Sequence, residues 1–110
     1  MPQSNYNHIP TVFYFISELQ PRSIYDVGVG NGTYGFLARQ ALDIAFERID
    51  KKQWQIIIDG IDVFEGYKNP IWNYFYNKVE LGNMVKAIDK IIRVCKEAGI
   101  VVGGLSLIHI

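Results

Sequence analysis

Apolar residues recur along this chain with two different periods, and their alternation outlines a fold. Ser23–Val27 reads as a short buried strand. Gln55–Asp62 contains Ile56, Ile57 and Ile58 in succession, the pattern of a strand covered on both faces. Lys78–Leu81 and Ile100–Val102 predict two more strands, with Gly103-Gly104 as a turn or bulge. Between these runs the spacing is helical. Met1–His8 is a polar, frayed lead, and Pro10–Leu19 then reads as a helix. Pro10 sits in its first turn, Pro21 lies just past its end, and Phe13, Ile16 and Leu19 face the sheet. A second helix starts at Thr33, which caps it, and runs to about Ala41. Leu37, Ala41 and Leu42 form its inner face, and Arg39, Asp43 and Glu47 a solvated one. Ile44–Lys52 fits either a continued helix or a break near Asp50. Asn69-Pro70 starts a short helix, with Asn69 as cap, and leaves Trp72, Phe75 and Tyr76 as core or pocket wall. In Met84–Lys96, Val85, Ile88, Ile91, Ile92 and Cys95 recur at spacings of three and four, which predicts a core-facing stripe and a buried Cys95. Strands alternating with helices predict an α/β fold with a parallel sheet.

The chemistry concentrates in Ser23–Gly35, S-I-Y-D-V-G-V-G-N-G-T-Y-G. Gly28, Gly30 and Gly32 occupy alternate positions between the first strand and the second helix. Such a turn lets backbone approach a ligand where a Cβ would block it, and the helix directs free N–H groups toward it. A nucleotide-like or carboxylate-bearing ligand is implied. Gly30, Gly32 and Gly35 match the G-x-G-x-x-G of dinucleotide enzymes. Asp26, Gly28, Gly30 and Gly32 match an acidic residue followed by G-x-G-x-G. Asp26 separates the two readings, because a dinucleotide strand enters its glycines through apolar residues and a buried carboxylate there is costly.

The second pattern, with G-T-Y-G-F-L-A-R-Q, W-Q-I-I-I-D-G-I-D-V-F-E-G-Y, N-P-I-W and Y-N-K-V-E-L-G-N following in order, resembles class I S-adenosylmethionine-dependent methyltransferases over about Ser23–Met84. The resemblance implies a Rossmann-like three-layer fold with about four of the usual seven strands, ordered 3-2-1-4. It implies an N-terminal helical segment over 1–22 and an S-adenosylmethionine-binding domain, incomplete at its C-terminus, over 23–110. Asp26, Gly28, Val29, Gly30, Asn31 and Gly32 would hold the cofactor. Asp59 and Asp62, 27 and 30 residues beyond Gly32, compete for the ribose hydroxyls. Asp62 is favoured, since G-I-D matches the family pattern and the acid belongs at the strand's C-terminal end. Asn83 stands where the family has aspartate; its carbonyl accepts from the adenine amino group, or caps the helix that follows, or both. Met84 packs on the adenine face. N-P-I-W is similar to the N-P-P-aromatic loop of amino-group methyltransferases, but it follows the wrong strand and lacks the second proline, so a helix start is the better reading. Ser106–Ile110 either stands at the fourth-strand segment, with His109 as its histidine and without its acids, or is translated adapter sequence. The methyl acceptor and the catalytic residues are not identified.

Lysine plus arginine equal aspartate plus glutamate, 11 each, so no net field favours nucleic acid or an acidic membrane. Cys95 is the single cysteine, which excludes an internal disulfide and points to an intracellular, cytoplasmic setting. The N-terminus has no signal-peptide pattern, and no apolar run reaches the ~18 residues of a membrane span. An open sheet edge predicts self-association. Two rival readings stay open: a nicotinamide-dependent oxidoreductase fragment, and a non-catalytic interaction module of the same fold.

Overall fold

A computed structural model describes residues 6–97 and 99–103. The expectations for Gly104–Ile110, His109 included, lie outside the described residues. The first described residues, Tyr6–His8, form a single 3-10 turn where a frayed lead was expected. It leads into α1 (Ile9–Leu19), which carries Pro10 in its first turn. Then follow β1 (Ser23–Val27), α2 (Thr33–Leu42), β2 (Ile57–Asp62), α3 (Pro70–Phe75), β3 (Lys78–Leu81), α4 (Met84–Lys96) and β4 (Ile100–Gly103). Residues 43–56 hold two 3-10 turns, Ile44–Phe46 and Lys51–Gln53, so the second helix ends at Leu42. Asp50 opens the later turn as a capping box with Gln53.

The four strands form one all-parallel sheet in the order β3-β2-β1-β4, flanked by helices on both faces, a Rossmann-like α/β fold. Because every strand runs the same way, all the C-terminal ends lie on one rim. Val27 pairs with Ile61, and Asp62 with Leu81.

The period of two in β1 and β2 sorts their side chains between two cores. On one face Ile24 and Ile58 pack with Ile16 of α1, Ala38 and Leu42 of α2, and Trp72 and Tyr76. On the other, Tyr25, Val27 and Ile61 pack with Ala87 and Val94 of α4. Parity puts Asp26 and Asp62 on the first face and Asp59 on the second.

Several helix faces differ from the expectations. In α1 the inner line is Ile9, Val12 and Ile16, whereas Phe13 and Leu19 are 36% and 63% exposed. This helix packs mainly against α2 and reaches the sheet through Ile16, so the contact line is rotated. In α4 the inner line is Ala87, Ile91 and Val94, and Val85, Ile88, Ile92 and Cys95 are exposed. The apolar arc of α4 is wider than the strip the sheet offers, and the small Ala87 lets the helix seat closely. Ile57 is half exposed, because α4 covers β1 and β4 and leaves the start of β2 open. Thr33 is the first helical residue; the cap position is Gly32, whose φ of 93° lies in the left-handed region.

Arg39 and Asp43, expected in solvent, are 2% and 0% exposed. The Arg39 guanidinium donates to the Phe75 carbonyl (2.9 Å), the Asp43 carboxylate (2.8 Å), the Asn77 side-chain oxygen (2.7 Å) and the Ile56 carbonyl. It also lies 4.6 Å over the Trp54 ring. Asp43 in turn accepts from the Gln55 amide and Arg48. One planar fork thus ties α2 to the segment entering β2 and to the end of α3, and its charge is compensated within the core.

Candidate functional site

The site grows from the C-terminal end of β1. Asp26 is 1% exposed on the face shared with α2 and α3. Its Oδ2 accepts from the Tyr76 hydroxyl at 2.6 Å. Its Oδ1 is buried without a partner among the described residues. Burial pushes the Asp26 carboxyl up to about 7, opposed by the Tyr76 hydrogen bond and reinforced by the nearby Asp62 charge.

The chain then turns through Gly28, Gly30 and Gly32 with φ of 83°, 57° and 93°. Three left-handed residues in five demand glycine on conformational grounds alone. The turn is held mostly from within. Gly28 and Val29 donate to the Ile61 carbonyl (2.9 and 3.3 Å), and Gly32 to the Val29 carbonyl (3.0 Å). Gly30 N–H donates to Asp62 Oδ2 (2.8 Å), and the Trp72 indole N–H to the Gly30 carbonyl (2.8 Å). The Gly35 amide donates to the Tyr76 hydroxyl (3.0 Å). The amides of Thr33 and Tyr34, in the first turn of α2, find no acceptor among the described residues.

Asp62 closes the site from β2. Besides Gly30 it accepts from the Phe64 amide at Oδ1 (2.9 Å). Each oxygen retains a lone pair for a ligand hydroxyl. Asp59 lies on the opposite face, where burial raises its pKa against the opposing pull of Lys90 and Lys78. Asp26 and Asp62 are therefore brought together, and Asp59 lies on the other side of the sheet.

The remaining candidates spread out. Val29 sends its side chain into the core, and the absent Cβ of Gly60 makes room for it. Asn31 is part exposed at the turn. Asn83 lies beyond β3 on the same rim and caps α4 by accepting from the Lys86 amide (3.1 Å). Met84 is the first residue of α4, and its side chain lies outside the described part of the chain.

Trp72 and Tyr76, expected as core or pocket wall, are buried in the core and are also the polar clamps of the turn. Asn69 caps α3 by accepting from the Ile71 amide (2.8 Å), and Pro70 follows in its first turn, so the helix-start reading of N-P-I-W holds. That start directs both aromatic residues under the glycines. A Cβ on Gly35 would collide with the Tyr76 ring. The third glycine of the dinucleotide-like pattern thus serves an internal aromatic contact. Behind the two rings lies a cleft of about 320 Å³, bordered by Lys68, Asn73 and Asn77. No group of three His, Cys, Asp or Glu side chains suited to a metal ion occurs among the described residues. Among the described residues no helix is long and apolar enough to cross a membrane.

Comparison with protein-family models, curated proteins and solved structures found no match to this chain.

Proposed function

We propose that this chain binds S-adenosylmethionine, as the cofactor-binding part of a class I methyltransferase working in the cytoplasm on an unidentified methyl acceptor. The observation that carries this reading is the Asp26 carboxylate, buried at the entry of the glycine turn with one oxygen unpartnered. A cationic ligand offers that oxygen its missing complement; S-adenosylmethionine carries both a sulfonium and an ammonium group. Asp62, in reach of the same turn, has the acceptor capacity that a ribose diol requires. The cofactor, when bound, supplies an activated methyl group to an attacking nucleophile. The part of the described residues is to bind it, fix its orientation and keep water from the charged end.

The dinucleotide reading loses support on two counts. Asp26 is ill placed for a pyrophosphate, and Gly35 is taken up by Tyr76. A non-catalytic module has one observation in its favour, the internal satisfaction of most amides in the turn. Calorimetric titration with S-adenosylmethionine, S-adenosylhomocysteine and NAD decides among the three. Micromolar binding of the adenosyl ligands, with NAD weaker, is expected. Tighter binding of NAD overturns the reading, and no binding of any of them selects the non-catalytic module.

A further inference from the structure

Tyr76 makes more of its hydroxyl than a core tyrosine requires. The hydroxyl donates to Asp26 Oδ2 (2.6 Å) and accepts from the Gly35 amide (3.0 Å), so it bridges the end of β1 to the first turn of α2. Its ring fills the space left by the missing Cβ of Gly35. Buried at 2% exposure, it has no alternative partner in water. We propose that Tyr76 is the positioning residue of this site: by fixing Asp26 against the glycine turn it couples ligand affinity to the ionisation of that carboxylate. The ligand arm of this inference rests on the adenosyl-ligand reading above; the coupling itself does not.

The chemistry follows from what faces Asp26. From β2 comes Asp62, a like charge; from the end of α3 comes Tyr76, a neutral donor; from α2 comes only the Gly35 amide, relayed through the Tyr76 oxygen. No cationic side chain forms an ion pair with Asp26 among the described residues. Among the described residues the Tyr76 hydroxyl is therefore the group that favours the ionised form, against burial and Asp62. In the ligand-free protein the carboxyl carries a proton for part of the time near neutrality. A cationic ligand placed against Oδ1 favours the anion, so its binding releases that proton. Affinity then rises with pH across neutrality and levels off above it.

Tyr76→Phe separates this role from packing, because it keeps the ring against Gly35 and removes both hydrogen bonds. Two readouts are needed. In the ligand-free protein, the carbon-13 signal of the Asp26 carboxyl is followed against pH; the midpoint is expected to rise by roughly one pH unit in the variant. In calorimetry with S-adenosylhomocysteine, a loss of about tenfold is expected, together with the same upward displacement of the affinity-against-pH curve. An unchanged carboxyl midpoint in a folded Tyr76→Phe protein overturns the inference, whether or not the ligand binds. Wild-type affinity that is flat from pH 6 to 8 overturns the coupling while leaving the binding reading intact. Should Tyr76→Phe fail to fold, Asp26→Asn replaces it: its affinity must be independent of pH, and a persisting pH profile overturns the inference.

Discussion

Asp26 carries an opposing pull between stability and binding. Its folded-state carboxyl titrates at about 7, above the ordinary value of 3.8. Between those two values the folded chain holds the proton more tightly than the unfolded one. Stability from this group is thus full below pH 4 and is lost as the pH rises through 7. Asp26→Asn removes that loss. The variant is expected to be more stable than wild type at pH 8, by up to about 4 kcal/mol for the roughly three pH units between the two values at ~1.4 kcal/mol each, with the difference shrinking toward zero near pH 4. Thermal melts at both pH values check this; a variant less stable at pH 8 would show that ionised Asp26 is well solvated. Gly35 belongs to the same scale. Gly35→Ala drives a methyl into the Tyr76 ring and should cost about 1–3 kcal/mol, read as a lower urea midpoint. Tyr76→Ala, which opens the space, should tolerate the added methyl better than wild type does. Both glycine and tyrosine are plain in the sequence, but nothing there pairs residues 41 positions apart.

At the scale of elements, the unexpected finding is a buried arginine. The segment Arg39, Asp43, Glu47 reads as a polar helix face, and period alone places it outward. In the structure Arg39 and Asp43 turn inward because the stretch entering β2 and the end of α3 present carbonyls and a side-chain amide that need donors. Replacing Arg39 by leucine strands these acceptors and leaves Asp43 with Arg48 and a backbone amide. The expected cost is about 3 kcal/mol, measured by urea unfolding, and Arg39→Lys should recover only part of it because one ammonium cannot span the fork. The exposed ion pairs of Glu80 with Lys78 and Lys86 call for no such cost. The faces of α1 and α4 make the same point in reverse. Each has a broad apolar arc, and the neighbour it meets decides which line of that arc is buried.

For the whole molecule, the layers are unequal. Among the described residues, α1, α2 and α3 share the core on one face of the sheet, and α4 alone covers the other. The exposed line Val85, Ile88 and Ile92 runs along α4, the helix packed over β1 and β4. β4 is the outer strand on that side among the described residues. An open strand edge and an apolar helix flank are both self-complementary across a two-fold axis, and the chain's formal net charge of zero opposes no approach. Concentration-dependent self-association is therefore expected in light scattering coupled to size exclusion. Ile88→Glu with Ile92→Glu should return the chain to a monomer without lowering its melting temperature by more than a degree or two. A wild-type monomer at all concentrations would mean that this exposed flank and the strand edge do not drive association.

The periods of apolar residues, the capping pairs and the alternate glycines by themselves determined the order of elements, the parallel sheet and the turn at Gly28–Gly32. Those are local matters: a strand's period, a helix's first residue and a positive φ are set by neighbours in the chain. The strand-end position of Asp62 was legible as well, and the parity of β2 puts it on the Asp26 face and Asp59 on the other. What only the tertiary structure decided is which groups meet across the chain: Tyr76 with Asp26 and Gly35, Trp72 with Gly30, Arg39 with the carbonyls of Ile56 and Phe75. These are hydrogen bonds from residues that local patterns class as apolar bulk or solvated charge. They form because a buried polar group takes whatever partner the packed chain brings within about 3 Å.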